Sequence, residues 1–111
     1  MNAFDVLGDP IRRRILELLA RSELTSGEIV SIIGDEFGVS QPAVSQHLRV
    51  LRESGFAQVR SAGTKRHYSM DTTGISAVEQ WLSDLRGFWD QRLDALSTEI
   101  ARGKKQRDVE Q

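Results

Sequence analysis

The sequence predicts a mostly α domain with one small β-hairpin, in the element order α-α-α-α-β-β-α. Three observations carry that prediction. Residues 39–55 contain a self-contained helix signal. Ser40 is a natural N-cap, Pro42 sits in the first turn where its missing N–H is not needed, and Gly55 suits the position just past the C-terminus. Directly after it, Ala57–Ala62 and Lys65–Met70 alternate as two short strands across a Gly63-Thr64 turn. A long final segment repeats Val78, Leu82, Leu85, Trp89, Leu93, Leu96 and Ile100 at helical spacing.

The remaining elements follow in order. Asn2 to Leu7 forms a short first helix with Phe4, Val6 and Leu7 apolar. Gly8-Asp9-Pro10 punctuates it, with Asp9 as N-cap and Pro10 at the first position of a second helix running to about Arg21. Ile11, Ile15, Leu18 and Leu19 give that helix its core stripe, and Leu16 widens it. The run Arg12-Arg13-Arg14 near its start opposes the helix dipole, so phosphate or an acidic neighbour is its expected partner, with a solvated basic face as the alternative. Thr25 or Ser26 caps a third helix. Thr25 with Glu28 matches a capping box, and Ile29, Ile32 and Ile33 form the buried side. Gly34-Asp35-Glu36-Phe37-Gly38 either turns the chain or lets the third helix continue through Phe37. The third and fourth helices thus form a helix-turn-helix, and the hairpin after it resembles a wing, with a solvated hairpin whose basic residues discourage edge pairing as the alternative.

The last helix starts near Asp71–Thr72 and ends near Gly103. Trp81 and Phe88 widen its apolar face beyond what a small helical body needs. One edge is expected to pack on the domain and the other to pair with a second copy, since the 3-4 spacing resembles a dimer seam. A purely intramolecular core helix is the alternative. The domain therefore spans 1–103, and the charged, aperiodic residues 104–111 are expected to be a disordered tail.

With 111 residues the chain is one domain. It has no cysteine, which excludes disulfides, thiolate metal sites and thiol redox sensing. No stretch is long and apolar enough to span a bilayer and no signal peptide opens the chain, so a cytoplasmic protein without membrane contact is expected. The net charge of −1 hides an uneven distribution. Residues 41–70 carry five Lys or Arg against one acid, whereas 1–40 carry four against seven and 71–111 six against eight. The positive field is concentrated on the fourth helix and the wing.

That segment holds the candidate functional residues. Val44, Leu48 and Leu51 anchor the fourth helix, and its other face carries Pro42, Ser45, Gln46 and Arg49. Gln can bond adenine bidentately and Arg can bond guanine, which makes Gln41, Ser45, Gln46 and Arg49 candidate base readers of double-stranded DNA. Pro42 can touch a thymine methyl. Ser40 and Arg52 can reach phosphate, and Thr64, Lys65 and Arg66 are the wing contacts. Arg12–Arg14 are weaker phosphate candidates. His47 reads as a packed polar residue, His67 as ambiguous, and Tyr68 as a packing residue of the wing. No Ser/His/Asp set, paired carboxylates or Gly-rich phosphate loop appears at a useful spacing, so no catalysis is expected.

Three segments resemble the ArsR family of small winged-helix repressors, over roughly Phe4 to Phe88: Leu7–Leu16, Ser40–Leu48 with Leu51 and Gly55, and Gly63–Tyr68. The resemblance implies a homodimer built from the first and last helices, here through Phe4, Leu7, Trp81, Leu85, Phe88, Trp89 and Leu96. It implies binding to an inverted repeat near a promoter, the chain's own promoter included, and repression by blocking polymerase. The chain departs from the family where many members sense metals. Glu23–Glu28 has no thiolate and the last helix has no His, so neither metal nor other cofactor is expected. The Gly34–Gly38 region is also longer than usual. No sensing residue is visible, which leaves the effector unknown. The alternatives are a winged-helix protein-interaction module, docking through Trp81, Phe88 and Trp89, and a metal-responsive repressor with an atypical site.

Overall fold

The computed structural model describes the backbone of residues 1–110 and the side chains of residues 1–103. The elements are α1 (Ala3–Leu7), α2 (Pro10–Arg21), β1 (Leu24–Thr25), α3 (Ser26–Phe37), α4 (Gln41–Glu53), β2 (Ala57–Ala62), β3 (Lys65–Met70) and α5 (Thr72–Glu110). The tail expected at 104–111 lies outside the residues described in full. Contacts divide the chain into Met1–Val78 and Glu79–Gln111.

Local chemistry sets the helix boundaries in the first unit. The Asp9 carboxylate accepts from the backbone N–H groups of Ile11 and Arg12 at 2.8 and 3.2 Å, and Pro10 follows as the first helical residue. Thr25 and Glu28 form the expected capping box, each side chain accepting from the other's backbone N–H. α3 continues through Phe37 and stops at Gly38, whose φ of 68° is left-handed and whose N–H donates to the Gly34 carbonyl at 2.9 Å. The long Gly34–Gly38 segment is therefore helix plus its cap, and Gly38, Val39 and Ser40 alone connect α3 to α4.

The expected two-stranded hairpin is part of a three-stranded antiparallel sheet in the order β1-β3-β2. β1 is only Leu24 and Thr25, paired with Tyr68 and His67. Two residues cannot display a period-2 pattern, so the sequence offers no signal for them. β2 and β3 pair from Ala57 opposite Met70 to Ala62 opposite Lys65. Gly63 turns the hairpin with a φ of 62°.

Between these elements lies one core of Val6, Ile15, Leu16, Leu19, Ile29, Ile33, Val44, Leu48, Leu51, Phe56, Ala57 and Tyr68. Ile11, Leu18 and Ile32, expected in the stripes, are only partly buried. Phe56 is fully buried and fixes the start of α5: Asp71 N–H donates to its carbonyl at 3.0 Å, and Gly74 N–H to the Gly55 carbonyl at 2.8 Å. Among the described residues no buried side-chain nitrogen or oxygen lacks a partner.

The second unit is the remainder of α5. Trp81, Leu82, Leu85, Phe88, Trp89, Leu93, Leu96 and Ile100 each keep 44–70% of their surface exposed in the single chain. A run of this many half-exposed large apolar side chains exceeds the scattered exposure normal for a monomer surface.

Candidate nucleic-acid interface

α4 is oriented by its buried stripe of Val44, Leu48 and Leu51, which turns Gln41, Pro42, Ser45, Gln46, Arg49 and Arg52 to solvent. Ser40 stands at its N-cap, where its hydroxyl accepts from Ala43 N–H at 3.4 Å. Gln41, Ser45, Arg49 and Arg52 line a concavity of about 440 Å³ together with Arg66 of β3. Leu48 and Tyr68 are among its apolar residues, and Ser26, Gly27 and Val30 of α3 contribute as well. No Asp or Glu lines it, so three guanidinium groups share one hollow without a carboxylate in its wall.

The structure thus brings together five of the expected site residues: Gln41, Ser45, Arg49, Arg52 and Arg66. Ser40, Pro42, Gln46, Thr64 and Lys65 are exposed but outside the hollow. Ser26, Gly27 and Val30 escaped the sequence reading, although the capping box at Thr25 marks where α3 begins and so which residues can stand beside α4.

The cations differ in how free they are. Arg49 Nε donates to Glu53 Oε1 at 2.9 Å across one turn. That hydrogen bond and the adjoining Arg49 charge hold the Glu53 carboxyl below the usual range. Arg66 sits over the Tyr68 ring, 5.9 Å from its centre, near the limit of a cation–π contact. The side chains of Arg52 and Lys65 make no hydrogen bond or salt bridge among the described residues, and their charges help to hold the carboxyls of Glu53 and Glu28 below the usual range. Two further wing side chains are engaged elsewhere: Arg60 donates to Glu23 Oε1, and His67 Nδ1 lies 3.3 Å from the same oxygen.

Each arginine of the Arg12-Arg13-Arg14 run has a partner within the chain, and for Arg14 it is an acidic neighbour, one of the two partners the sequence allows. Arg12 donates through Nε to the Val6 carbonyl at 2.8 Å and through Nη2 to the Asp5 carbonyl at 2.9 Å. Arg13 donates to the Leu7 carbonyl at 2.6 Å. These carbonyls end α1; that of Asp5 also accepts from Gly8 N–H at 3.3 Å, and the two arginines supply further donors from outside the helix. Arg14 grips Glu36 through two 2.9 Å hydrogen bonds and ties α2 to α3. His47 is half-buried on the inner flank of α4, its Nδ1 3.4 Å from Arg12 Nη1.

Among the described residues no group of three or more His, Cys, Asp or Glu is placed to hold a metal ion. No helix among them is long and apolar enough to cross a membrane.

Comparison with known proteins places this arrangement. Residues 9–59 match the profile of the bacterial regulatory protein arsR family. The chain is 42% identical to the HTH-type transcriptional regulator Rv2034 of Mycobacterium tuberculosis over 82% of this chain and 78% of that one. It is 32% identical to the transcriptional repressor SdpR of Bacillus subtilis over 73% of this chain and 86% of that one. Its fold superposes on the crystal structure of an ArsR family transcriptional regulator, RHA00566, with a TM-score of 0.70 and 28% identity, covering 79% of this chain and 87% of that one. A possible transcriptional regulator for arsenical resistance matches with a TM-score of 0.64 and 33% identity over 89% and 96% of the two chains. The chain belongs to the ArsR family, and it is a winged helix-turn-helix, DNA-binding transcriptional regulator.

Proposed function

We propose that the protein is a homodimeric repressor that binds an inverted-repeat operator, its own promoter included, with α4 of each subunit in one of two successive major grooves. The observation that carries the reading is the acid-free hollow in which Gln41, Ser45, Arg49, Arg52 and Arg66 meet. In this reading Gln41, Ser45, Gln46 and Arg49 read base edges, and Pro42 lies against a thymine methyl. Ser40, Arg52, Thr64, Lys65 and Arg66 hold phosphates and set the register. Phe4 and Leu7 of α1 join Trp81, Leu85, Phe88, Trp89 and Leu96 of α5 in the dimer interface. Residues 1–103 are the functional domain, and its place of action is the cytoplasm.

The test is a mobility shift on the fragment upstream of the gene, run with Arg49→Ala and Lys65→Ala. Arg49→Ala should cost about 1–3 kcal/mol of discrimination between operator and unrelated DNA. Lys65→Ala should weaken all sequences alike and reduce the salt slope by about one unit. Unchanged binding by both variants contradicts the assignment.

A further inference from the structure

The hollow beside α4 has a cationic rim and an apolar floor. The rim is Arg49, Arg52 and Arg66, all exposed, with no carboxylate in the wall. The floor is Val30, Leu48 and Tyr68. Leu48 and Tyr68 belong to the buried core, so the hollow reaches down to it. Its volume of about 440 Å³ falls in the range of about 300–1,000 Å³ typical of small-ligand sites.

The rim is partly set in advance. Arg66 is steadied over the Tyr68 ring, 5.9 Å from its centre. Glu53 holds Arg49 through Nε and leaves the terminal amino groups of that guanidinium free to pair. A DNA phosphodiester carries one charge and is tied to a sugar on both sides. It can meet the rim, but it has no apolar body to send down to the floor. A phosphomonoester is close to a dianion at neutral pH and has three terminal oxygens, which suits several guanidinium forks at once. A carboxylate offers one charge and two oxygens.

We propose that this hollow binds a small phosphomonoester bearing a compact apolar group, with the phosphate at the three arginines and the apolar group on Val30, Leu48 and Tyr68, and that this ligand releases the protein from DNA. Both occupants use Arg49, Arg52 and Arg66, so each excludes the other. The release rests on the DNA-reading role of α4 and the wing, whereas the binding site does not.

Phenyl phosphate is the probe, at about 0.15 M salt, where exposed charges more than about 8 Å apart are largely screened. In the DNA-free protein, nitrogen-15 NMR should show saturable shifts at the side-chain Nε–H groups of Arg49, Arg52 and Arg66 and at the amides of Val30 and Leu48. Inorganic phosphate should bind at least about tenfold more weakly, because it leaves the floor uncovered. Phenyl phosphate at ten times its Kd should raise the apparent Kd for DNA about elevenfold, and the same concentration of inorganic phosphate at equal ionic strength by no more than about twofold. Arg66→Gln should lose about tenfold in affinity for the probe. Lys65→Ala, exposed on the wing but outside the hollow, should keep that affinity while binding DNA more weakly.

Equal affinity for phosphate and phenyl phosphate, or equal losses in the two variants, would show a diffuse cationic surface and overturn the inference. Absence of saturable shifts would overturn it, and so would probe binding that leaves DNA affinity unchanged. In those cases DNA binding that fails in Arg49→Ala keeps the reading of α4 intact. Probe binding in the expected pattern by a protein that does not bind the DNA upstream of its gene would leave the ligand site standing and remove both the DNA reading and the release.

Discussion

Arg49 and Glu53 form an i,i+4 pair on the exposed face of α4, with Nε and Oε1 2.9 Å apart and the side chains 64% and 57% exposed. The two terminal amino groups of the guanidinium have no partner among the described residues. Glu53 therefore leaves Arg49 its end-on pair of donors, the geometry suited to guanine, while offsetting part of its charge.

Removing that offset should change DNA binding in a defined way. Glu53→Gln is expected to tighten binding to DNA of any sequence and to steepen the slope of log K against log salt by up to about 0.9, the value for one added phosphate contact. Discrimination between operator and unrelated DNA should fall, because Arg49 gains freedom to reach phosphate. Filter binding or fluorescence anisotropy across a salt series measures both. An unchanged slope would mean that Glu53 does not restrain Arg49.

The wing has a comparable tie. Glu23, just before β1, engages Arg60 of β2 and lies beside His67 of β3. Because the pairs are largely exposed, Glu23→Gln should cost only about 0–1 kcal/mol of stability. Hydrogen exchange in β2 and β3 should quicken more than in α2, since the contact tethers the hairpin and not the core.

Two helical glycines should respond to alanine with opposite signs. A Cβ on Gly74 would stand 2.7–2.8 Å from ring atoms of the fully buried Phe56, whereas one on Gly27 would meet nothing within 4 Å. Gly74→Ala should lose about 1–3 kcal/mol by overpacking. Gly27→Ala should gain a few tenths to about 1 kcal/mol from helix propensity. Urea titrations of the two variants check the signs.

Asp9 makes the start of α2 sensitive to acid. Burial pushes its carboxyl up, but the amide hydrogen bonds from Arg12 and Ile11, with the charges of His47 and Arg12, more than offset this, and the net pKa falls below the ordinary 3.8. A carboxyl whose pKa is lower folded than unfolded stabilises the fold fully above its unfolded pKa. That contribution is lost as pH falls through the folded value. Asp9→Ala should cost about 0.5–2 kcal/mol near neutral pH, and the gap to wild type should close as acid protonates the native cap. Asp9→Asn retains a capping oxygen without a titrating group. Its stability should lack this acid-dependent component.

Much of this fold is legible in the chain because its boundaries are chemical. Asp9-Pro10, the Thr25–Glu28 box, Ser40 with Pro42, and Gly55 each use a side chain or backbone preference that acts within a few residues. What the sequence hides is set by distant partners. β1 exists only because β3 lies beside Leu24 and Thr25. The partners of Arg12 and Arg13 are open in the sequence, and only the packed structure brings the carbonyls of α1 beside them. The site shows the same division. The outward face of α4 follows from helical periodicity, whereas the approach of Ser26, Gly27 and Val30 to Arg66 depends on how α3 and the wing pack.

Hydroxyl-radical footprinting of the protein on the DNA upstream of its own gene tests the central claim most directly. The account predicts protection of two inverted half-sites with centres about 10–10.5 base pairs apart, or a multiple of that, lost in Arg49→Ala. Protection that is a single isolated patch, or that spreads evenly and survives Arg49→Ala, would contradict it.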